Sequence, residues 1–335
     1  MSGIVDPTRR TDKNRIRKKD MDICAFEWKS VCGEDLSFAP LEKFGKIRYY
    51  GRPEDKDLPE IIGESEAVLC SKVPFTASLM DACPNLKYIG VTATGYNNVD
   101  LQAAKKRGIT VTNIPDYSSD AVAQMTLTFI LQFATSFQKY TDSTARGDWT
   151  RSEIFCYYPY PLTELGGKTL GLVGMGNIGK KVARLAEAFG MKVIYTARSK
   201  KDLPYEYVSL DEVLERADYV SLHLPASAET EKMICRESLA KMKKSAFLIN
   251  TARGALVNEE DMRTALDEGV IAGYGADCLT VEPQSENCPL IGAKNCLLTP
   301  HVAWAPKETR ARLIGILAEN LEKFLEGKPQ NVVNP

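Results

Sequence analysis

Short apolar runs rich in β-branched and aromatic residues recur along this chain, separated by stretches whose apolar positions fall three and four apart. The first series spans residues 21–113. It predicts strands at 23–26, 47–50, 67–70, 88–91 and 110–111, with helices at 36–44, 58–62, 77–83 and 101–106. A second series occupies 169–299, with strands expected at 170–173, 193–196, 219–222, 246–249, 271–276 and 296–298. Alternation of strand and helix implies parallel sheets wrapped by helices. Between the two series, 120–146 reads as one long helix, apolar nearly all round, and 149–165 as an aromatic, loop-like stretch. A last helix at 307–325 returns the chain to the first domain. The fold class is therefore α/β, with two Rossmann-like/flavodoxin-like doubly wound parallel-sheet domains. Residues 21–118 and 305–335 form one domain, and 119–304 are inserted into it, with 119–165 as an interdomain or dimerisation arm.

One glycine pattern assigns a task to the inserted domain. Gly174, Gly176 and Gly179 follow the apolar run 169–173 and open a helical stretch at 177–189. Strand, G-x-G-x-x-G, helix is the dinucleotide fingerprint: a tight turn, close backbone approach to a pyrophosphate, and helix packed on strand. A NAD site wants an acid about 20 residues further on for the ribose 2′-hydroxyl. Ala197 stands there instead, followed by Arg198, Ser199, Lys200 and Lys201. No carboxylate repels a 2′-phosphate, and a guanidinium, a hydroxyl and two ammonium groups can bind one. NADP(H) is favoured, with NAD(H) as the alternative.

Bulk properties narrow the class. The chain has 335 residues, 44% apolar and 26% charged, which suits two soluble domains. A net charge of −1 provides no field to recruit nucleic acid or an anionic membrane, and no apolar run is long enough to span a bilayer. There is no signal-peptide pattern, and nine cysteines without C-x-x-C argue for a reducing cytoplasm and against zinc or a disulfide framework. No metal site is read. The basic segment 1–20 reads as a disordered tail or an early-assigned start.

Candidate chemistry gathers where the second series of strands ends. Arg253 lies in Asn250-Thr251-Ala252-Arg253-Gly254, Asp277 precedes Glu282-Pro283, and His301 closes Thr299-Pro300-His301, with Trp304 a turn beyond. His301 is one of only two histidines; the other, His223, lies in 221–225. Hydride transfer to a carbonyl needs a cation for a carboxylate, a proton donor, and a group that stabilises the protonated donor. Arg253 suits the first, His301 the second and Glu282 the third. In the first domain, Thr94 and Gly95 occupy a turn after a strand whose amides can hold a substrate carboxylate opposite Arg253.

Together, Ala93-Thr94-Gly95, the glycine loop 174–179, Thr251-Ala252-Arg253-Gly254, Asp277 with Glu282-Pro283, and Thr299-Pro300-His301 resemble the D-isomer-specific 2-hydroxyacid dehydrogenases. The likeness covers about residues 22–330. Segments 90–97, 160–165 and 301–305 look most like the glycerate dehydrogenase and hydroxypyruvate reductase branch. The resemblance implies that Arg253, Glu282 and His301 are catalytic, and that Asn177 and Ile178 meet the pyrophosphate. It sets Thr251, Ala252 and Asp277 along the nicotinamide, with Asp277 accepting from its carboxamide, and Pro225 and Thr230 at the adenosine end. His301 and Trp304 also count among the cofactor contacts. Lys72 joins Thr94, Gly95 and Arg253 as substrate-binding, and with Tyr96 and 149–160 it would discriminate small from bulkier or phosphorylated acids. The implied reaction is reduction of hydroxypyruvate or glyoxylate to D-glycerate or glycolate by a homodimer. The alternatives are a same-fold dehydrogenase for another 2-keto acid using NAD, and a nucleotide-sensing binding protein akin to the C-terminal-binding-protein corepressors.

Overall fold

The structure, a computed structural model, describes residues 21–335; the basic segment 1–20 lies outside the described residues. The chain divides into two compact units, one ending at Tyr117 and resuming over Lys307–Pro335, the other Ser118–Pro306.

The first unit holds β1 (Met21–Phe26), β2 (Gly45–Tyr50), β3 (Ala67–Cys70), β4 (Tyr88–Val91) and β5 (Thr110–Thr112). They form a parallel sheet in the order β2-β1-β3-β4-β5, the flavodoxin-like arrangement. Helices Ala77–Asp81 and Leu101–Lys106 start where Thr76 and Asp100 cap them, each side-chain oxygen accepting from the amide three residues on. Helix Lys307–Leu325 completes this unit, its Phe324 ring 4.9 Å from Tyr88 and its Asn320 donating to the Asn113 carbonyl.

The second unit contains β6 (Thr169–Val173), β7 (Lys192–Thr196), β8 (Glu206–Tyr207), β9 (Tyr219–Leu222), β10 (Phe247–Asn250), β11 (Gly273–Ala276) and β12 (Cys296–Leu298). All pair in parallel, in the order β12-β11-β10-β9-β6-β7-β8. This is the doubly wound dinucleotide-binding order with an added edge strand, and its switch point lies between β6 and β9. Strands β9 and β11 are buried along their whole length, as strands covered on both faces of a parallel sheet are. Helix Ser119–Thr135 packs on the sheet through Phe133, stacked 4.6 Å from Phe247.

Three expectations change. The single helix expected over 120–146 is two, Ser119–Thr135 and Phe137–Ala145. Ser136 breaks it by adopting a left-handed backbone (φ 48°), and its hydroxyl donates to the Pro161 carbonyl. The helix expected over 36–44 shrinks to Ala39–Glu42, because Pro40 fits only a first turn. Strand β8 and helices Leu210–Arg216, Arg236–Leu239 and Glu259–Asp267 add to the elements read from the sequence. Among the described residues no helix is long and apolar enough to cross a membrane.

Candidate active site

Register places the candidate residues of the second unit along one edge. Thr196, Val173, Leu222, Asn250, Ala276 and Leu298 form a level row across β7, β6, β9, β10, β11 and β12. The residues that follow them are Ala197, Gly174, His223, Thr251, Asp277 and Thr299. Because the strands are parallel, all six lie at the carboxyl edge, where open α/β sheets bind ligands.

The glycine loop leaves β6 here. Gly174 has φ +102°, and a Cβ on it would overlap the His223 carbonyl, so only glycine fits. Gly176 precedes helix Asn177–Ala188, whose first residue Asn177 is exposed, while Ile178 packs against the core. The helix is long enough to present unpaired amides and a partial positive end to a phosphate. At the end of β7 the basic cluster is exposed, with Lys201 Nζ donating to Ser199 Oγ at 3.3 Å and Arg198 beside them in sequence. Across the switch point, the Thr230 hydroxyl donates to the Pro225 carbonyl at 3.0 Å and closes that loop. These residues fit a dinucleotide.

His223 lies under the loop. Its Nε2 is 2.9 Å from Ser221 Oγ, and its Nδ1 is the one buried side-chain polar atom without a partner among the described residues. Burial pushes its pKa down to about 3, so the ring stays neutral and plays no acid–base part near neutral pH.

Arg253 sits in the turn after β10. Asn250 shapes that turn, donating to the Arg253 carbonyl at 2.8 Å and accepting from the Ala252 amide at 3.1 Å. The Thr251 hydroxyl lies 3.0 Å from that of Thr126, which itself donates to the Val122 carbonyl, so Thr251 is the donor of the pair. Gly254 then packs backbone to backbone against the Leu279–Thr280 peptide, with no room for a side chain. The Arg253 turn is thereby held against the loop that carries Glu282. That loop is fixed in turn: Glu259 accepts from the Thr280 amide at 2.7 Å, and Glu282 accepts from the Leu279 amide at 3.0 Å.

His301 follows β12. Its Nδ1 lies 2.9 and 2.8 Å from the two Glu282 oxygens, so Nδ1–H donates to the carboxylate and Nε2 is left for chemistry. Both side chains are about one-third exposed, at 31% and 28%. His301 is held in the left-handed region at φ 55°, which costs a non-glycine residue about 1 kcal/mol. Asp277 is 2% exposed and accepts from Thr299 Oγ1 (2.6 Å), the Val302 amide (2.9 Å) and the Ala303 amide (2.8 Å). Trp304 lies in the turn that follows. Cys278, beside Asp277, is buried, and burial pushes its thiol up, so it supplies no nucleophile.

Thr94, Gly95 and Lys72 belong to the five-stranded unit. Thr94 donates to the Ile114 carbonyl at 2.9 Å and accepts, through its own carbonyl, from Asn113 at 2.8 Å. The Lys72 turn is organised by Glu27, whose Oε2 accepts from the Ser71 amide (3.0 Å) and the Lys72 amide (2.6 Å). Sequence reasoning passed over Glu27 and Glu259. The signal for Glu259 was its place just after the Asn258 cap, whereas Glu27 had none, since its partner lies 44 residues away.

A dinucleotide edge beside a paired histidine and glutamate defines a dehydrogenase of the two-unit α/β class. The family model for the NAD binding domain of D-isomer specific 2-hydroxyacid dehydrogenases matches residues 127–303, more than half of the chain, and the chain belongs to that family. It is 41% identical over 307 residues to a hydroxypyruvate reductase of Blautia hydrogenotrophica, covering 90% of this chain and 95% of that one. It is also 41% identical over 301 residues to a glycerate dehydrogenase of Methylorubrum extorquens, covering 88% and 95%. The solved NADPH-dependent glyoxylate/hydroxypyruvate reductase of Sinorhizobium meliloti, in complex with NADP and malonate, superposes with a TM-score of 0.80 at 29% identity, covering 93% of this chain and 96% of that one.

Proposed function

We propose that this protein reduces hydroxypyruvate or glyoxylate with NADPH, giving D-glycerate or glycolate. The observation that carries the reading is the His301–Glu282 pair, hydrogen-bonded at 2.8 Å on the edge that also holds the glycine loop. When bound, the reduced nicotinamide supplies the hydride that adds to C2 of the keto acid. Arg253 binds the substrate carboxylate with its guanidinium fork and orients the carbonyl. His301 holds a proton at Nε2 and gives it to the carbonyl oxygen as charge develops there. Glu282 keeps the ring in that orientation and stabilises the imidazolium. Thr94, Gly95 and Lys72 are assigned to the same carboxylate and its substituent. Gly174, Gly176, Asn177, Ile178 and Gly179 would hold the pyrophosphate, Pro225 and Thr230 the adenosine end, and Thr251, Ala252, Asp277 and Trp304 the nicotinamide side.

Preference for NADPH is supported by Ala197 in place of an acid and by the Arg198-Ser199-Lys200-Lys201 cluster. The relative from Sinorhizobium meliloti, named as NADPH-dependent, agrees with it. A homodimer is supported by large exposed apolar side chains on the 137–162 stretch, among them Phe155 (90%) and Tyr158 (66%). The test is NADPH oxidation followed at 340 nm (about the reduced-nicotinamide absorbance) with a panel of 2-keto acids, run beside NADH. Turnover with hydroxypyruvate and glyoxylate is expected. Nucleotide binding without oxidation by any keto acid would replace the enzyme with a nucleotide-sensing binding protein.

A further inference from the structure

The geometry points to Asp277 as the positioning residue for His301, acting through the backbone of the turn rather than through the ring. This rests on His301 being the proton donor. Asp277 directly follows β11, and its own amide donates to the Asn250 carbonyl at 3.0 Å, so the residue is anchored to the neighbouring strand. Its buried carboxylate receives three donors from the next loop: Thr299 Oγ1 and the Val302 amide on Oδ1, and the Ala303 amide on Oδ2. His301 sits between those tethers. Its amide donates to the Thr299 carbonyl at 2.9 Å, and its backbone is held at φ 55°, a conformation a histidine does not keep without restraint. The ring direction follows from that backbone, and the ring then reaches Glu282 with both carboxylate oxygens within 2.9 Å of Nδ1. Asp277 therefore requires acceptors at both oxygens, and the contact to a nicotinamide carboxamide can draw only on the capacity left at Oδ2.

Asp277→Asn keeps the shape and replaces one acceptor with a donor, which faces either Ala303 or the Thr299–Val302 pair. Thr299→Val removes one tether and leaves the two amides. With hydroxypyruvate and NADPH, Asp277→Asn should lower kcat by about 10²-fold, the loss expected of a reacting group displaced by about 1 Å, with the NADPH Kd within about threefold. Thr299→Val should lower kcat by about three- to tenfold. The chain has only two histidines, so ¹⁵N-histidine labelling gives two ring systems, that of His301 and that of His223, whose Nδ1 is buried. In the wild type the His301 ring should show one pinned Nδ1–H tautomer, and in both variants an averaged one, with the His223 ring unmoved. An NADPH Kd raised tenfold or more with kcat intact would leave Asp277 a cofactor contact alone, without a positioning role, and overturn the proposal. If Asp277→Asn fails to fold, Thr299→Val decides, and wild-type kcat with a pinned ring in that variant overturns the tether. The ring spectra are read without substrate or cofactor, so they judge the tether even if the wild type reduces no keto acid and the functional reading fails.

Discussion

Both units place a residue of positive φ at the end of their first strand, and they fill that place with opposite chemistry. In the seven-stranded unit it is Gly174, bare backbone followed by a helix of 12 residues whose amides face outward. In the five-stranded unit it is Glu27 at φ 54°, whose carboxylate already occupies the Ser71 and Lys72 amides. One sheet offers donors to an anion and the other supplies the anion itself. A carboxylate recurs at a later strand end as well. Asp277 grips the amides beyond β12 much as Glu27 grips those beyond β3, but only the first of these loops carries an imidazole seated against a glutamate. Shared topology therefore leaves the chemistry to a few residues just beyond the strands.

The largest effect should come from the imidazole paired with Glu282. His301→Gln should cut kcat by about 10²–10⁴-fold while the NADPH Kd, from fluorescence titration, stays within about threefold. Joint loss of binding and turnover would count against a proton-donor role. Gly174→Ala should destroy the contrast between the first-strand ends. The added Cβ meets the His223 carbonyl at a φ that alanine resists, so loss of NADPH binding and destabilisation by about 1–3 kcal/mol are expected. Glu27→Gln in the other unit should leave NADPH binding unchanged and cost about 1–3 kcal/mol in urea denaturation. If the two variants affected NADPH binding equally, the division of labour between the sheets would be wrong.

A smaller change should sharpen which nucleotide the seven-stranded unit takes. Replacing Ala197 with Asp and Arg198 with Pro installs a carboxylate and removes a guanidinium. The ratio of kcat/KM for NADPH over NADH should fall by roughly 10- to 100-fold, from about 1.5–3 kcal/mol of charged hydrogen bonding. An unchanged ratio would remove the 2′-phosphate site from the β7 end. The mildest effect concerns His223. The unfolded chain protonates this ring below about pH 6.5, whereas the fold holds it neutral down to about 3. Stability present above about pH 6.5 is therefore lost as pH falls through that window, by about 2 kcal/mol at pH 5. His223→Asn should flatten the urea-denaturation profile between pH 8 and pH 5, and an unaltered slope would show that the ring is hydrated.

What the sequence disclosed follows from what each element needs. Strands buried on both faces read as apolar runs, so the runs at 67–70 and 88–91 coincide with β3 and β4, and the run at 219–222, broken only by Ser221, with β9. The glycine loop was legible because its spacing carries a mechanism. Helix Leu210–Arg216 is short and two-sided, and its signature was the Ser209–Glu212 capping box rather than hydrophobic period. The break at Ser136 depends on the Pro161 carbonyl, a contact 25 residues away that local pattern does not contain. At the site, residue type nominated His301 and Glu282, but their 2.8 Å contact, the packing of Gly254 on Leu279 and the grip of Asp277 all depend on strand order.

The most direct measurement is the product of a single reaction: wild-type protein, hydroxypyruvate and NADPH, with the glycerate formed resolved by chirality and counted against nicotinamide oxidised. One D-glycerate per NADPH is the expected result. L-glycerate, or hydroxypyruvate left unreduced beside intact NADPH, would contradict the proposed chemistry of Arg253, Glu282 and His301.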